Sequence, residues 1–324
     1  MLPKFSYVRA KSLNDAVRTL ATPGAMLHAG GTDLLGCLRG GVLKADKVIS
    51  LGGIAALRGI STPVAGGLRI GAMTTLSEIA SHKQVLDRYP ALAQAAASVG
   101  SPQLRNQGTL GGNLCQRPRC WYFRGDFQCL RKGGDTCYAL QGENQYHAIF
   151  GGRACYMVHP SDTAVALVAL GARARVTGPG GVRTVPLAGF FVLPEKNVTK
   201  ETVLERNEVL TDILLPPADA GARSSYRKVR SRGSWDFALA SVALALTIDT
   251  GAVVKRVRIV LGAAAPAPWR AEGAEKVIVG NRLTADTAAR AAEAAVKGGE
   301  TLSQNEYKVA LFRGIVEEQL LAMA

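Results

Sequence analysis

The stretch from Gly108 to Asp162 places the tightest limit on what this chain can fold into. It opens with GTLGGN, closes with HPSD, and holds five of the six cysteines in between. The intervals are C-x4-C-x8-C-x7-C-x17-C, running from Cys115 through Cys120, Cys129 and Cys137 to Cys155. The paired C-x2-C knuckles of a zinc ribbon are missing, and so is the tight C-x2-C-x2-C run of a bacterial ferredoxin. Gly125, Gly133, Gly134, Gly142, Gly151 and Gly152 favour a loop over a helix or a strand. A loop that long inside a compact domain needs something to tie it down. Four thiolates on an iron–sulfur centre would do so, and so would a zinc ion. Disulfides are the third option in an oxidising compartment, although five local cysteines leave one unpaired. Cys37 stands far from the group and reads as a buried inert thiol.

A second glycine signal lies upstream. Met26–Ala29 reads as a strand that runs into Gly30-Gly31-Thr32-Asp33, and a helix is expected from Leu34 to about Arg39. Glycines let a backbone approach a ligand closely, and free N–H groups at a helix start favour an anion. Alone, AGGTD is also an ordinary strand-to-helix turn capped by Thr32 or Asp33. The run Gly108-Thr109-Leu110-Gly111-Gly112-Asn113 reads as a second turn. It has no lysine in the P-loop position and is not GxGxxG after a strand, which excludes triphosphatase and Rossmann readings. Two such turns in one α/β domain can hold the two ends of one pyrophosphate. Asp162 suits a ribose diol, or caps the helix expected at Thr163–Leu170 together with Ser161. His159 has no partner in the sequence that would make it a general base.

The remaining chain supports two domains. With 324 residues, 48% hydrophobic, it can bury a sizeable core. Strands and helices alternate as far as Val209–Leu215, and Pro216-Pro217 marks the expected boundary, giving 1–217 and 218–324. The second part is expected to be α+β. Strands are read at Ser224–Arg232, Ala238–Ile248 and Val253–Gly262, followed by two closing helices at Ala285–Lys297 and Glu306–Leu321. The net charge of +14 points to an acidic partner or a polyanionic cofactor. No zinc-finger or helix-turn-helix pattern accompanies the basic run Arg223–Arg232, which argues against nucleic acid. No apolar run is long enough to span a membrane, and the N-terminus lacks a signal peptide, so a cytoplasmic location is expected unless a partner carries the chain to the periplasm.

Four landmarks taken in order resemble the flavin subunit of the molybdenum hydroxylase (xanthine dehydrogenase) family. They are AGGTDLL at 29–35, RNQGTLGGN at 105–113, SD at 161–162 and YRKVRSRGSWDFALASVA at 226–243, and together they span essentially the whole chain. The cysteine loop between GGN and SD, at about 114–158, is similar to a branch with an additional [4Fe–4S] cluster. That branch includes the flavin subunit of periplasmic aldehyde oxidoreductases and the β subunit of 4-hydroxybenzoyl-CoA reductases. The resemblance implies a PCMH-type FAD-binding domain of two α/β subdomains and a CO-dehydrogenase-flavoprotein-like C-terminal domain. It implies FAD pyrophosphate against Ala29, Gly30, Gly31, Thr32 and Asp33 and against Gly108, Thr109, Gly111, Gly112 and Asn113. Asp162 falls on the ribose side, with Lys228 and Asp236 near the isoalloxazine. The implied cluster ligands are Cys120, Cys129, Cys137 and Cys155, without Cys115. The implied partners are a molybdenum-cofactor large subunit and a small subunit with two [2Fe–2S] clusters, in a heterotrimer open to dimerisation. An external acceptor takes the electrons, or a donor supplies them when the flow runs inward as in the reductases. Substrate chemistry then lies on a partner, and the chain itself is an electron relay.

Overall fold

The computed structural model describes residues 1–324 and contains three sheets. The first is parallel, with Lys47–Ser50 between Ser6–Arg9 and Ala25–His28. Helix Leu13–Leu20 starts where Ser12 accepts a hydrogen bond from the Asp15 N–H, and it buries Ala16, Val17 and Leu20. Strand Ala25–His28 leads through Ala29–Asp33 into helix Leu34–Arg39, as the sequence implies.

The second sheet is antiparallel, in the order Ile60–Ser61, Leu68–Gly71, Val209–Leu215, Arg173–Gly178, Gly181–Pro186. Helices Pro90–Ser98 and Asp162–Ala169 contribute to the core around it, and every residue of the latter is buried. An all-round apolar helix belongs between layers. The third sheet, also antiparallel, orders Ala222–Val229, Ala240–Ile248, Val254–Gly262 and Trp269–Arg270. Its Tyr226, Ala243 and Val260 pack into the same core as the second sheet. The two parts of the chain therefore share buried surface beside helix Asp162–Ala169.

Three helices close the chain, not two: Glu272–Ile278, Ala285–Val296 and Tyr307–Leu321. The extra helix has seven residues, too few to reveal a 3.6-residue period. The same limit explains two other corrections. GTLGGN is not a turn but a cap and a helix, Leu110–Leu114, in which the Thr109 hydroxyl accepts from the Gly112 N–H. The preceding PQLRNQ is also helical, Pro102–Gln107, capped by Ser101. Helix Leu76–Ser81 is capped by Thr75, with Glu78 completing a capping box.

The cysteine stretch is mostly loop, as expected, with three short helical turns inside it. They are Trp121–Arg124, Leu130–Lys132 and Tyr138–Leu140. Each follows directly on a cysteine: Cys120, Cys129 and Cys137 occupy the three N-cap positions.

Candidate functional site

The two glycine segments meet. A side chain on Gly30 would strike the Gln107 carbonyl at 1.9 Å, so only glycine allows the two backbones this contact. Gly31 has φ +73, the left-handed region that favours glycine. Thr32 Oγ1 lies 3.7 Å from where a Gly108 Cβ would stand, and the Ala29 Cβ 4.0 Å from that of Gly112. The strand-to-helix turn and the second helix start thus form one cradle. Its backbone donors are free: the N–H groups of Gly30, Gly31, Thr32, Asp33 and Thr109 have no acceptor in the chain. Amides without a partner in the chain take a ligand or water. Several convergent N–H groups make an anion site.

Asn113 joins the two ends that the cysteine loop separates. Its Oδ1 accepts from Ser161 Oγ at 2.5 Å and Thr163 Oγ1 at 2.6 Å. Ser161 also caps helix Asp162–Ala169, accepting from the Ala164 N–H. Asp162 itself is not left open toward a diol. Its Oδ1 accepts from Tyr226 Oη at 2.5 Å and its Oδ2 from Lys228 Nζ at 2.7 Å, with both ends of that ion pair nearly dry. Burial and the adjacent Asp162 carboxylate push the Tyr226 hydroxyl well above its usual range. Two expected cofactor residues, Asp162 and Lys228, are therefore partners of each other across the two parts of the chain.

All six cysteines are free thiols. No group of three or more His, Cys, Asp or Glu side chains is arranged to hold a metal ion. Even so, the four expected ligands are neighbours. Cys155 donates to Cys137, and Cys120 is close enough to both Cys129 and Cys137 to feel their charge. The hydrogen bond from Cys155 lowers Cys137 to about 6 and raises Cys155. Burial raises Cys120 to about 11. Nearby backbone amides favour the charged thiolates: those of Tyr122 and Phe123 at Cys120, of Ala139, Leu140 and Tyr156 at Cys137, and of Met157 at Cys155. None of the three N-cap sulfurs closes a capping hydrogen bond, but each stands beside the free amides of a helical turn, a setting that favours thiolate. Cys115 stands apart, pushed up to about 12 by burial. Cys37 is buried, as expected, and accepts from Arg124 at 2.8 Å.

A cavity of about 460 Å³ opens beside Cys120, between the loop, His159–Asp162 and the segment Ser231–Leu239. That volume fits a ligand cleft, typically about 300–1,000 Å³. Asp236 lines it, whereas Lys228 does not. His159 lines it as well, but burial holds its imidazole neutral, down to about 3, and its ring packs edge-on against Phe191 at 4.6 Å. It is not a base near neutral pH. A larger cleft of about 1050 Å³ lies elsewhere, among Arg88, Arg223, Arg256 and Arg258, and contains none of the expected cofactor or cluster residues.

The structure adds residues that local pattern does not reveal. Arg117 donates its backbone N–H to Asp33, and the Arg119 and Arg124 guanidiniums pair with the same carboxylate. Glu201 accepts from the fully buried Arg131 at 2.9 Å and pairs with Arg117 at 3.1 Å. Glu201 lies far from the cysteine loop in sequence, so only its charge could have drawn attention to it, and Asp33 stands out locally only as part of AGGTD.

Residues 3–218 match the family described as the FAD binding domain in molybdopterin dehydrogenase. Residues 224–323 match the CO dehydrogenase flavoprotein C-terminal domain. The aldehyde oxidoreductase FAD-binding subunit PaoB of Escherichia coli (strain K12) is 39% identical over 276 residues, covering 84% of this chain and 85% of PaoB. The carbon monoxide dehydrogenase medium chain of Hydrogenophaga pseudoflava is 31% identical over 99% of this chain and 97% of its own length. A solved structure of carbon monoxide dehydrogenase from that organism superposes with a TM-score of 0.79 over 100% of this chain and 99% of that one, at 29% identity. The chain belongs to the FAD-binding family of molybdopterin dehydrogenases, whose relatives are oxidoreductase subunits.

Proposed function

We propose that this chain is the FAD- and [4Fe–4S]-carrying electron-transfer subunit of a heterotrimeric molybdenum-cofactor hydroxylase of the aldehyde oxidoreductase type. In this reading, 1–217 holds the flavin, the insertion at about 114–158 holds the cluster, and 218–324 completes the site. The name of the relative PaoB supports the aldehyde class. A large molybdenum subunit transforms the substrate, and a small subunit with two [2Fe–2S] clusters passes electrons toward an external acceptor through the flavin. FAD supplies the exchange between one-electron and two-electron carriers.

This chain's residues fit both groups. The free amides of Gly30, Gly31, Thr32, Asp33 and Thr109 suit a pyrophosphate, with Ala29, Gly108, Gly111, Gly112 and Asn113 shaping the contact. The buried Lys228–Asp162 pair fixes the C-terminal sheet against helix Asp162–Ala169 and so sets one wall of the cavity. Asp162 orients through Tyr226 and Lys228 in preference to acting as a free ribose acceptor. Cys120, Cys129, Cys137 and Cys155 would hold the cluster. The observation that carries this part is the placement of three of them at the N-caps of short helical turns. Donors to sulfur and burial are the levers that set a cluster's potential.

The test is the cofactor content of the full chain purified without oxygen. One FAD and one [4Fe–4S] cluster per chain are expected. FAD without iron would remove the cluster from the account, and zinc in place of iron would overturn its chemistry.

A further inference from the structure

We infer that Asp33 is a positioning residue that fastens the cysteine loop to the FAD cradle, so that FAD binding and order in the loop reinforce each other. The inference rests on the FAD reading and extends it to this residue. Asp33 faces two ways. Its main-chain N–H is one of the free donors of the cradle. Its carboxylate takes three donors from the loop: the Arg119 guanidinium at 3.0 Å, that of Arg124 at 2.8 Å, and the Arg117 N–H at 2.7 Å.

An aspartate at a helix N-cap ordinarily accepts from its own helix. Asp33 occupies that position before Leu34–Arg39 and caps no backbone N–H of that helix, accepting from it only the Cys37 thiol at 3.9 Å. Its side chain instead reaches residues 84 to 91 positions away. Arg124 extends the clamp, donating to the Pro118 carbonyl at 2.6 Å and the Arg117 carbonyl at 3.0 Å. The corner 117–124 is thus one hydrogen-bonded unit, and Cys120 sits within it. Without the carboxylate, two neighbouring guanidiniums face each other with nothing between them. The corner must then open, and the backbone of Asp33 loses its tether. By linkage, whatever the loop gains from an occupied cradle, the cradle gains from an ordered loop.

The sign of the effect separates this role from simple electrostatics. A carboxylate beside an anionic pyrophosphate repels it, so its charge alone predicts that Asp33→Ala binds FAD more tightly. The positioning role predicts weaker binding. Deflavinated full-length protein is titrated with FAD by calorimetry, and amide exchange across 117–124 is followed with and without FAD. We expect Asp33→Ala to weaken FAD at least about fivefold, the lower end of coupling between sites. FAD should slow exchange in the corner of the wild type but not of the variant. Arg124→Met leaves the cradle sequence intact, guards against a misfolded Asp33 variant, and should weaken FAD by a similar factor. The double variant should be no worse than either single one. Unchanged or tighter FAD binding in either single variant overturns the inference. A wild type that binds no FAD would instead remove the reading beneath it.

Discussion

The two arms of the cysteine loop are held by different chemistry. The leading arm is fixed to the N-terminal part by charge. Arg117, Arg119 and Arg124 meet Asp33, and Arg117 and Arg131 meet Glu201. The trailing arm is fixed to the C-terminal part by neutral amides. Asn144 donates to Ser303 Oγ at 3.0 Å and accepts from the Gln304 N–H at 2.9 Å. Asn305 donates to the His147 and Ala148 carbonyls at 3.1 and 3.3 Å. A charged clamp attracts over distance but penalises the loss of either partner. An amide clamp is shape-specific and pH-independent. The loop is therefore a strut between the two parts of the chain, with Cys120, Cys129 and Cys137 between its outermost anchors and Cys155 just beyond them.

Removing charge from the leading arm should have the largest effect. Glu201→Ala leaves Arg131, with a side chain 1% exposed, as an unpaired buried cation. A loss of about 3–5 kcal/mol is expected in denaturant unfolding. A loss under about 1 kcal/mol would show that the arm is held by something else.

Breaking the trailing arm should cost less. Asn305→Ala abandons two buried carbonyls and the Leu302 N–H that its Oδ1 accepts. A loss of about 2–3 kcal/mol is expected by the same method, following the penalty for unsatisfied buried groups. Little dependence on salt should accompany it, unlike variants of the charged arm.

One cation of helix Tyr307–Leu321, gripping the trailing arm, sharpens the contrast through pH. Lys308 donates to the Tyr146 carbonyl at 3.2 Å and to Ala263 at 2.7 Å, and burial lowers its ammonium to about 7. The unfolded chain keeps that proton up to about 10.4. Between those values the unfolded state binds more protons, so this residue's contribution to stability rises with pH and is lost as pH falls through about 7. The slope is at most about 1.4 kcal/mol per unit. Wild type minus Lys308→Met, followed by unfolding from pH 7 to 10, should show that rise, and a flat difference would show the lysine to be unshifted.

Much of this was legible in the residues. The strand–AGGTD–helix junction was readable because both flanking elements carry regular patterns, and helix Leu34–Arg39 forms where expected. The closeness of the four cysteines was readable from their density. The one-turn helices were not, because Trp121–Arg124 and Leu110–Leu114 are shorter than the window in which a period shows. Asp162 and Lys228 were both singled out, yet their pairing across 66 positions is a tertiary fact that no local pattern encodes. The same holds for Asp33, which reads locally as a cap or a phosphate neighbour and is found clasping arginines of the loop. Glu201 and Asn305 carry no local signal, since their meaning depends on what folds against them.

We propose that the strut holds a cluster beside the flavin. The most direct test is the electron paramagnetic resonance spectrum of the dithionite-reduced full chain, wild type against Cys129→Ser. The account predicts a reduced [4Fe–4S] signal in the wild type that disappears in the variant, while bound FAD remains in both. A wild type without that signal, or a variant that keeps it unchanged, would contradict it.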